Sequence, residues 1–185
     1  YPGTCHHLSP AEAEKRIRSG EYAAWRVEVP SRSFCFEDAL QGSYGQQLAE
    51  GCGDFILRRK DGAFAYQLAV VVDDASQGVT SVTRGIDLLS STPQQMFLQD
   101  LLGYPHPEYL HIPLLVNEQG RRLSKRDGDA SLEEMLSRFR TPQGIIGHIA
   151  FLAGLQPEDE PVSPDELIAV YDQDSLKEHL SGQIS

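Results

Sequence analysis

The sharpest change in the pattern of apolar and polar positions lies between Tyr66 and Leu89. Leu68 to Val72 is an unbroken apolar run that Asp73 and Asp74 end abruptly, and Gly78 then allows a turn. Val79, Val82 and Arg84 resume an extended pattern that closes at Gly85. This predicts a deeply buried extended run followed by a second strand, with Arg84 near the strand end, where α/β sheets place their ligand crevice. The run is too short to span a membrane.

The flanking segments carry shorter signals. Ser9-Pro10-Ala11-Glu12 is a helix start with a capping box, predicting a helix to about Ser19 that stops at Gly20. Ala24 to Val29 alternates as a strand does and Pro30 ends it. Phe34-Cys35-Phe36 and Phe55 to Arg59 are further strand-like pieces, and Lys60 to Ala63 is turn chemistry with Gly62 available for a positive φ. Thr92-Pro93 opens a helix with an apolar stripe of Met96, Leu98, Leu101 and Leu102, closed by Gly103. Tyr109 to Val116 reads as a buried strand, Asn117 to Gly120 as a turn, and Arg121 to Gly128 as a basic loop.

After Asp129 only helix signals remain. Ser131 with Glu134, Thr141-Pro142, and Ser163-Pro164 with Glu166 are N-terminal caps, and Ile145, Ile146, Ile149 and Leu152 recur at helical spacing. The expected organisation is an α/β domain over 1–130 and a small helical region over 131–185.

A chain of 185 residues suits one domain with a small appendage, and no stretch resembles a signal peptide or membrane helix, so a cytoplasmic protein is expected. The three cysteines lack disulfide spacing and read as reduced thiols, with Cys35 and Cys52 as buried small residues. The net charge of −11 argues against a broadly basic nucleic-acid coat. Bases are nevertheless grouped at Arg58, Arg59, Lys60 and at Arg121, Arg122, Lys125, Arg126, and a focused patch coexists with an acidic whole.

Taken residue by residue, the chemistry stays open. A five-residue basic loop, Arg122-Leu123-Ser124-Lys125-Arg126, is more often a solvated surface than a site. Tyr66 alone reads as a core tyrosine, and Arg84 alone as a partner of Asp73, Asp74 or Asp87. Asp73 and Asp74 read as structural.

The combination is more specific. Gly53 to Gly62 (G-D-F-I-L-R-R-K-D-G), Tyr66 to Leu89 and Ser91 to Gln95 (S-T-P-Q-Q), in that order before L-S-K-R, resemble the second half of the catalytic domain of glutamate-specific class I aminoacyl-tRNA synthetases. Within that group the chain is most similar to the short glutamyl-queuosine tRNA(Asp) branch, from Tyr1 to about Ser131.

The resemblance implies the C-terminal half of a Rossmann-type catalytic domain followed by a helical region that leans on the tRNA. It implies that Tyr66 and Arg84 bind glutamate, an arginine fork being suited to a carboxylate. Arg122 to Arg126 would be the KMSKS-type ATP loop, with Lys125 catalytic where negative charge develops. Arg122 stands where the first lysine of that motif would be. Tyr1 and Cys5 match the second half of a zinc site whose C-x-C half is missing, so zinc is expected in the full enzyme and not in this chain.

The implied cofactor is ATP with magnesium. The implied reaction is activation of glutamate and its transfer to queuosine in the anticodon loop of tRNA(Asp) by a monomeric enzyme. Ordinary charging of tRNA(Glu), or a non-catalytic tRNA-binding role, are the alternatives. Nothing in the chain resembles the HIGH signature, so this polypeptide is expected to be a fragment that cannot form the adenylate alone.

Overall fold

The computed structural model describes residues 3–114 and 132–181. The first helix, α1 (Pro10–Arg18), forms where its capping box predicts: Ser9 Oγ accepts the Glu12 N–H at 3.3 Å and Glu12 Oε2 accepts the Ser9 N–H at 3.0 Å. Strand β1 (Trp25–Val27) follows, then β2 (Ser33–Asp38), β3 (Gly42–Gln47), the short α2 (Leu48–Gly51) and β4 (Phe55–Arg58). β1 pairs antiparallel with β4 as a separate two-stranded sheet.

The segment Tyr66–Gln77 is a helix, α3, and not the buried extended run its β-branched composition predicts. Val70, Val71 and Val72 favour strands when isolated, but local propensity is a weak prior that tertiary packing overrides. At helical pitch only Val71 is fully buried, while Val72 is 36 % exposed. Asp73 and Asp74 do not end the run; they sit in the following turn. Gly78 closes the helix in the left-handed region at φ 69°, its N–H bonded back to Ala75 O.

Strand β5 (Ser81–Gly85) leads through a 3₁₀ segment (Ile86–Ser91) directly into α4 (Thr92–Leu102). Because α4 continues from a preceding turn of helix, no side chain caps it. Most of its N-terminal half is buried, including Thr92, Gln95, Met96, Phe97 and Leu98, and it packs on α3, with Gln95 Nε2 donating to Gln67 Oε1 at 2.7 Å. The apolar stripe ends a turn earlier than predicted, since Leu101 and Leu102 are 58 % and 44 % exposed.

Strand β6 (Glu108–Ile112) completes a four-stranded sheet of order β3-β2-β6-β5. It is shorter than the predicted Tyr109 to Val116 and alternates, burying Tyr109 and His111 and exposing Ile112. Pro113, which has no N–H to donate, follows it. The main core gathers Phe34, Leu48, Met96, Phe97 and Tyr109, with the Phe34 and Phe97 ring centroids 5.7 Å apart. Each such side chain contributes about 1.5–3 kcal/mol through burial.

The alternation of β2 also corrects the reading of Cys35, which is exposed because Phe34 takes the inward position. Cys35 Sγ lies over Gly45 of β3, where an added Cβ would come within 2.6 Å of it. Cys52 is half-buried beside the core, its thiol donating to Leu48 O at 3.4 Å.

Beyond residue 131 the described chain is helical: α5 (Leu132–Phe139), α6 (Pro142–Leu152), α7 (Pro164–Val170) and α8 (Gln173–Ser181). Thr141 caps α6 through Gly144 N, and Ser163 with Glu166 forms a complete capping box on α7. Ser131, the predicted cap of α5, lies outside the described residues. α6 lies against the 160 segment so closely that a Cβ on Gly147 would sit 1.8 Å from Glu160 O.

The chain groups into two compact units, one of Tyr1–Glu37, Ser43–Val82 and Leu88–Tyr109, the other of Asp38–Gly42, Thr83–Asp87 and Leu110–Ser185. The boundary expected near residue 130 falls outside the described residues. Among the described residues no helix is long and apolar enough to cross a membrane.

Candidate active site

Three adjacent strands of the larger sheet each contribute one polar side chain to a single row: Asp38 at the end of β2, His111 on β6 and Arg84 on β5. Asp38 and His111 are 2 % and 0 % exposed, and Arg84 is half-buried. His111 Nδ1 lies 2.6 Å from Asp38 Oδ2, and Arg84 Nε donates to His111 Nε2 at 3.0 Å.

Donor chemistry fixes the tautomer. An arginine Nε always carries a hydrogen, so His111 Nε2 must accept; the imidazole is neutral, and its proton sits on Nδ1, donated to Asp38. The Asp38 carboxylate is further held by the backbone N–H groups of Leu40, Gln41 and His111, at 3.0, 2.9 and 3.1 Å. Gln41 Nε2 donates to His111 O at 2.6 Å, closing the arrangement.

The protonation equilibria agree with this assignment. Burial pushes the His111 imidazole down; its bond to Asp38 and the charges of Asp38 and Asp87 pull it up, the Arg84 charge pushes it down again, and the result lies below the ordinary histidine value. Burial alone would raise the Asp38 carboxyl, but the hydrogen bonds from His111, Gln41 and Leu40 outweigh it and hold the group below the usual carboxylate range. The row therefore stays an aspartate, a neutral histidine and an arginine.

Close packing extends the row toward Asp87. A Cβ on Gly85 would meet Asp87 Oδ1 at 2.6 Å and Leu114 Cδ2 at 3.0 Å, so the backbone after Arg84 runs flush against its neighbours.

The sequence-predicted residues are distributed as follows. Tyr66 is the first residue of α3, 55 % exposed, in the first unit, and Arg84 is in the second. Arg122, Leu123, Ser124, Lys125 and Arg126 lie outside the described residues, as does Tyr1. Cys5 is exposed, and among the described residues no three His, Cys, Asp or Glu side chains gather as metal ligands. The described residues thus offer zinc no closed set of four ligands. Asp38, Gln41 and His111 were not singled out from sequence; the only signals were a histidine inside an apolar strand and an aspartate followed by a turn.

The family profile described as tRNA synthetases class I (E and Q), catalytic domain, matches residues 1–175. The chain belongs to this family. Similar relatives are a glutamyl-Q tRNA(Asp) synthetase of Symbiobacterium thermophilum, 45 % identical over 173 residues that make up 93 % of this chain and 53 % of the relative. Another, from Thiobacillus denitrificans, is 51 % identical over 163 residues, 86 % of this chain and 52 % of the relative. Among solved structures, a glutamate tRNA ligase of Elizabethkingia meningosepticum in complex with its amino acid aligns with TM-score 0.74 at 25 % identity, covering 91 % of this chain and 37 % of that one.

The class I (E and Q) synthetase chain described here therefore spans about half the length of the curated relatives it matches. Its α/β architecture is that of the class I catalytic domain.

Proposed function

We propose that the protein carrying these residues activates glutamate with ATP and transfers it to queuosine in the anticodon loop of tRNA(Asp). The observation that carries this reading is the Asp38–His111–Arg84 row. A guanidinium gripped at Nε by a buried, tautomer-fixed imidazole is oriented by the fold and not by solvent. Such an arginine is ready to meet a planar carboxylate with two parallel hydrogen bonds, and pre-set orientation is what makes a binding group effective.

In this reading Arg84 holds a glutamate carboxylate and Tyr66 adds a directed hydrogen bond. Lys125, within Arg122 to Arg126, neutralises charge on the ATP phosphates, with magnesium accompanying the nucleotide. Transfer of an activated carboxylate needs positioning and cations more than a carboxylate acid/base pair, which fits a row whose one carboxylate is buried and occupied. The name shared by the relatives supports queuosine-containing tRNA(Asp) as acceptor.

The test is incorporation of labelled glutamate into queuosine-containing tRNA(Asp) stripped of its 3′-terminal adenosine, by the product of the entire open reading frame encoding these residues. Incorporation there supports the reading. Incorporation that requires the terminal adenosine of tRNA(Glu) assigns the protein to ordinary glutamyl-tRNA synthesis. Absence of glutamate-dependent pyrophosphate exchange with tRNA binding intact assigns it a non-catalytic role.

A further inference from the structure

The small β1–β4 sheet carries an unusual outer face. Trp25 pairs with Arg58 across the antiparallel ladder, and Arg58 is bridged on its other side to Phe64. The register shifts between Trp25 and Arg26, so strand alternation alone does not set the direction of Trp25. Trp25 and Arg58 nevertheless line one depression and the Arg58 guanidinium stands over Phe64, which groups ring, guanidinium and ring, with the two aromatics 60 % and 65 % exposed.

The row is held in place. The Arg58 guanidinium carbon sits 5.7 Å from the Phe64 ring centroid, and its Nε donates to Gly62 O at 3.1 Å. The turn beneath is closed by the Arg59 N–H to Ala63 O at 2.8 Å, with Gly62 at φ +87°. Beside it lies an open depression of ≈ 340 Å³ whose lining includes Ile17, Glu21, Tyr22, Trp25, Arg58 and Lys60, and Tyr22 is 82 % exposed. Arg59 is paired with Asp61 at 2.7 Å, so Arg58 and Lys60 supply most of the local positive charge.

Exposed rings cost free energy in water and a cation row is out of character in a chain of net charge −11. Rings alternating with cations are the combination that binds unpaired nucleic acid, since bases stack on aromatics while phosphates meet the charges. A duplex hides its base faces and would engage only the charges.

We propose that the Trp25–Arg58–Phe64 row binds unpaired nucleotides of an RNA, with bases stacked on Trp25 and Phe64 and phosphates drawn to Arg58 and Lys60. The row stands on its own geometry; that the RNA is a tRNA rests on the function proposed above.

Trp25 is the only tryptophan in the chain, so its fluorescence reports the contact directly. The 185-residue chain is titrated with a single-stranded oligonucleotide, a blunt duplex of the same sequence, the anticodon stem-loop of tRNA(Asp) and an acceptor minihelix ending in unpaired CCA. Quenching by the unpaired RNAs with little from the duplex is expected. Preference for the stem-loop or for the minihelix identifies which unpaired segment sits on the row. With labelled RNA and anisotropy, Trp25→Ala and Phe64→Ala each weaken binding about tenfold, and Trp25→Phe restores most of it. Both side chains are exposed, so the variants keep their fold, checked by circular dichroism. Three outcomes overturn the proposal: equal quenching by duplex, no loss of affinity in either alanine variant, or self-association abolished by Trp25→Ala. No quenching of the 185-residue chain by any unpaired RNA, with glutamate activation by the product of the entire open reading frame intact, removes the row and spares the proposed function; quenching without activation by that full product does the opposite.

Discussion

Arg84 Nε and His111 Nε2 are 3.0 Å apart, an arginine donating to a neutral histidine that is itself anchored to Asp38. Protonating His111 would put a hydrogen on the atom that now accepts from Arg84. The two groups would then repel where they now bond.

Acid sensitivity follows with a definite sign. The folded-state value of His111 is depressed, so the unfolded chain binds the proton more readily and stability falls as pH drops below the ordinary histidine value of about 6.5. Asp38, also depressed, adds a second loss as pH falls below about 3.9. Urea unfolding should show a stability slope of up to about 1.4 kcal/mol per pH unit in the first window, and His111→Gln should flatten it. An unchanged slope in that variant would show that His111 is not the titrating group.

Asp38→Ala removes an acceptor shared by three backbone N–H groups and an imidazole. Leaving buried donors unsatisfied costs about 1–3 kcal/mol each, partly recovered by entering water, so a loss of about 3 kcal/mol in equilibrium unfolding is expected. A loss below about 1 kcal/mol would mean the site is wetter than its burial shows.

Arg84→Lys keeps the charge and loses the Nε–H. A bond to a charged group is worth about 1.5–3 kcal/mol, so if Arg84 holds glutamate as proposed, KM for glutamate in pyrophosphate exchange by the product of the entire open reading frame should rise about ten- to a hundredfold, with a smaller change in kcat. An unchanged KM, with kcat and kcat/KM falling equally, would place Arg84 outside ground-state binding.

Gly147→Ala sets a methyl against backbone, Glu160 O, at a spacing of 1.8 Å. Backbone cannot swing aside as a side chain does, so α6 and the 160 segment must separate; about 1–3 kcal/mol is lost, visible as a lower urea midpoint. Gly20→Ala, with nothing within 4 Å but a φ of +93°, should cost less, reporting backbone strain alone.

What the sequence disclosed was local. The capping boxes at Ser9 and Ser163 and the left-handed closure at Gly103 depend on residues within one turn of each other, and all appear. The α3 helix was misread because three successive valines carry strand preference, while the α4 surface that selects a helix is distant in sequence. Arg84 was singled out in the sequence, yet His111 and Asp38 were not, since no local rule joins positions 38, 84 and 111. Cys35 was misplaced for want of the strand's phase, which Phe34 sets.

The same separation bears on how the chain reaches its native state. Closing loops between positions 38, 84 and 111 is entropically slow compared with forming α1 or α7, whose contacts are neighbours in sequence. Arg84 is made early, as one residue of a short strand, but its seat exists only once β6 has entered between β2 and β5. An incompletely folded molecule therefore has the arginine without its orientation, and the Asp38–His111–Arg84 row is completed together with the closing of the sheet.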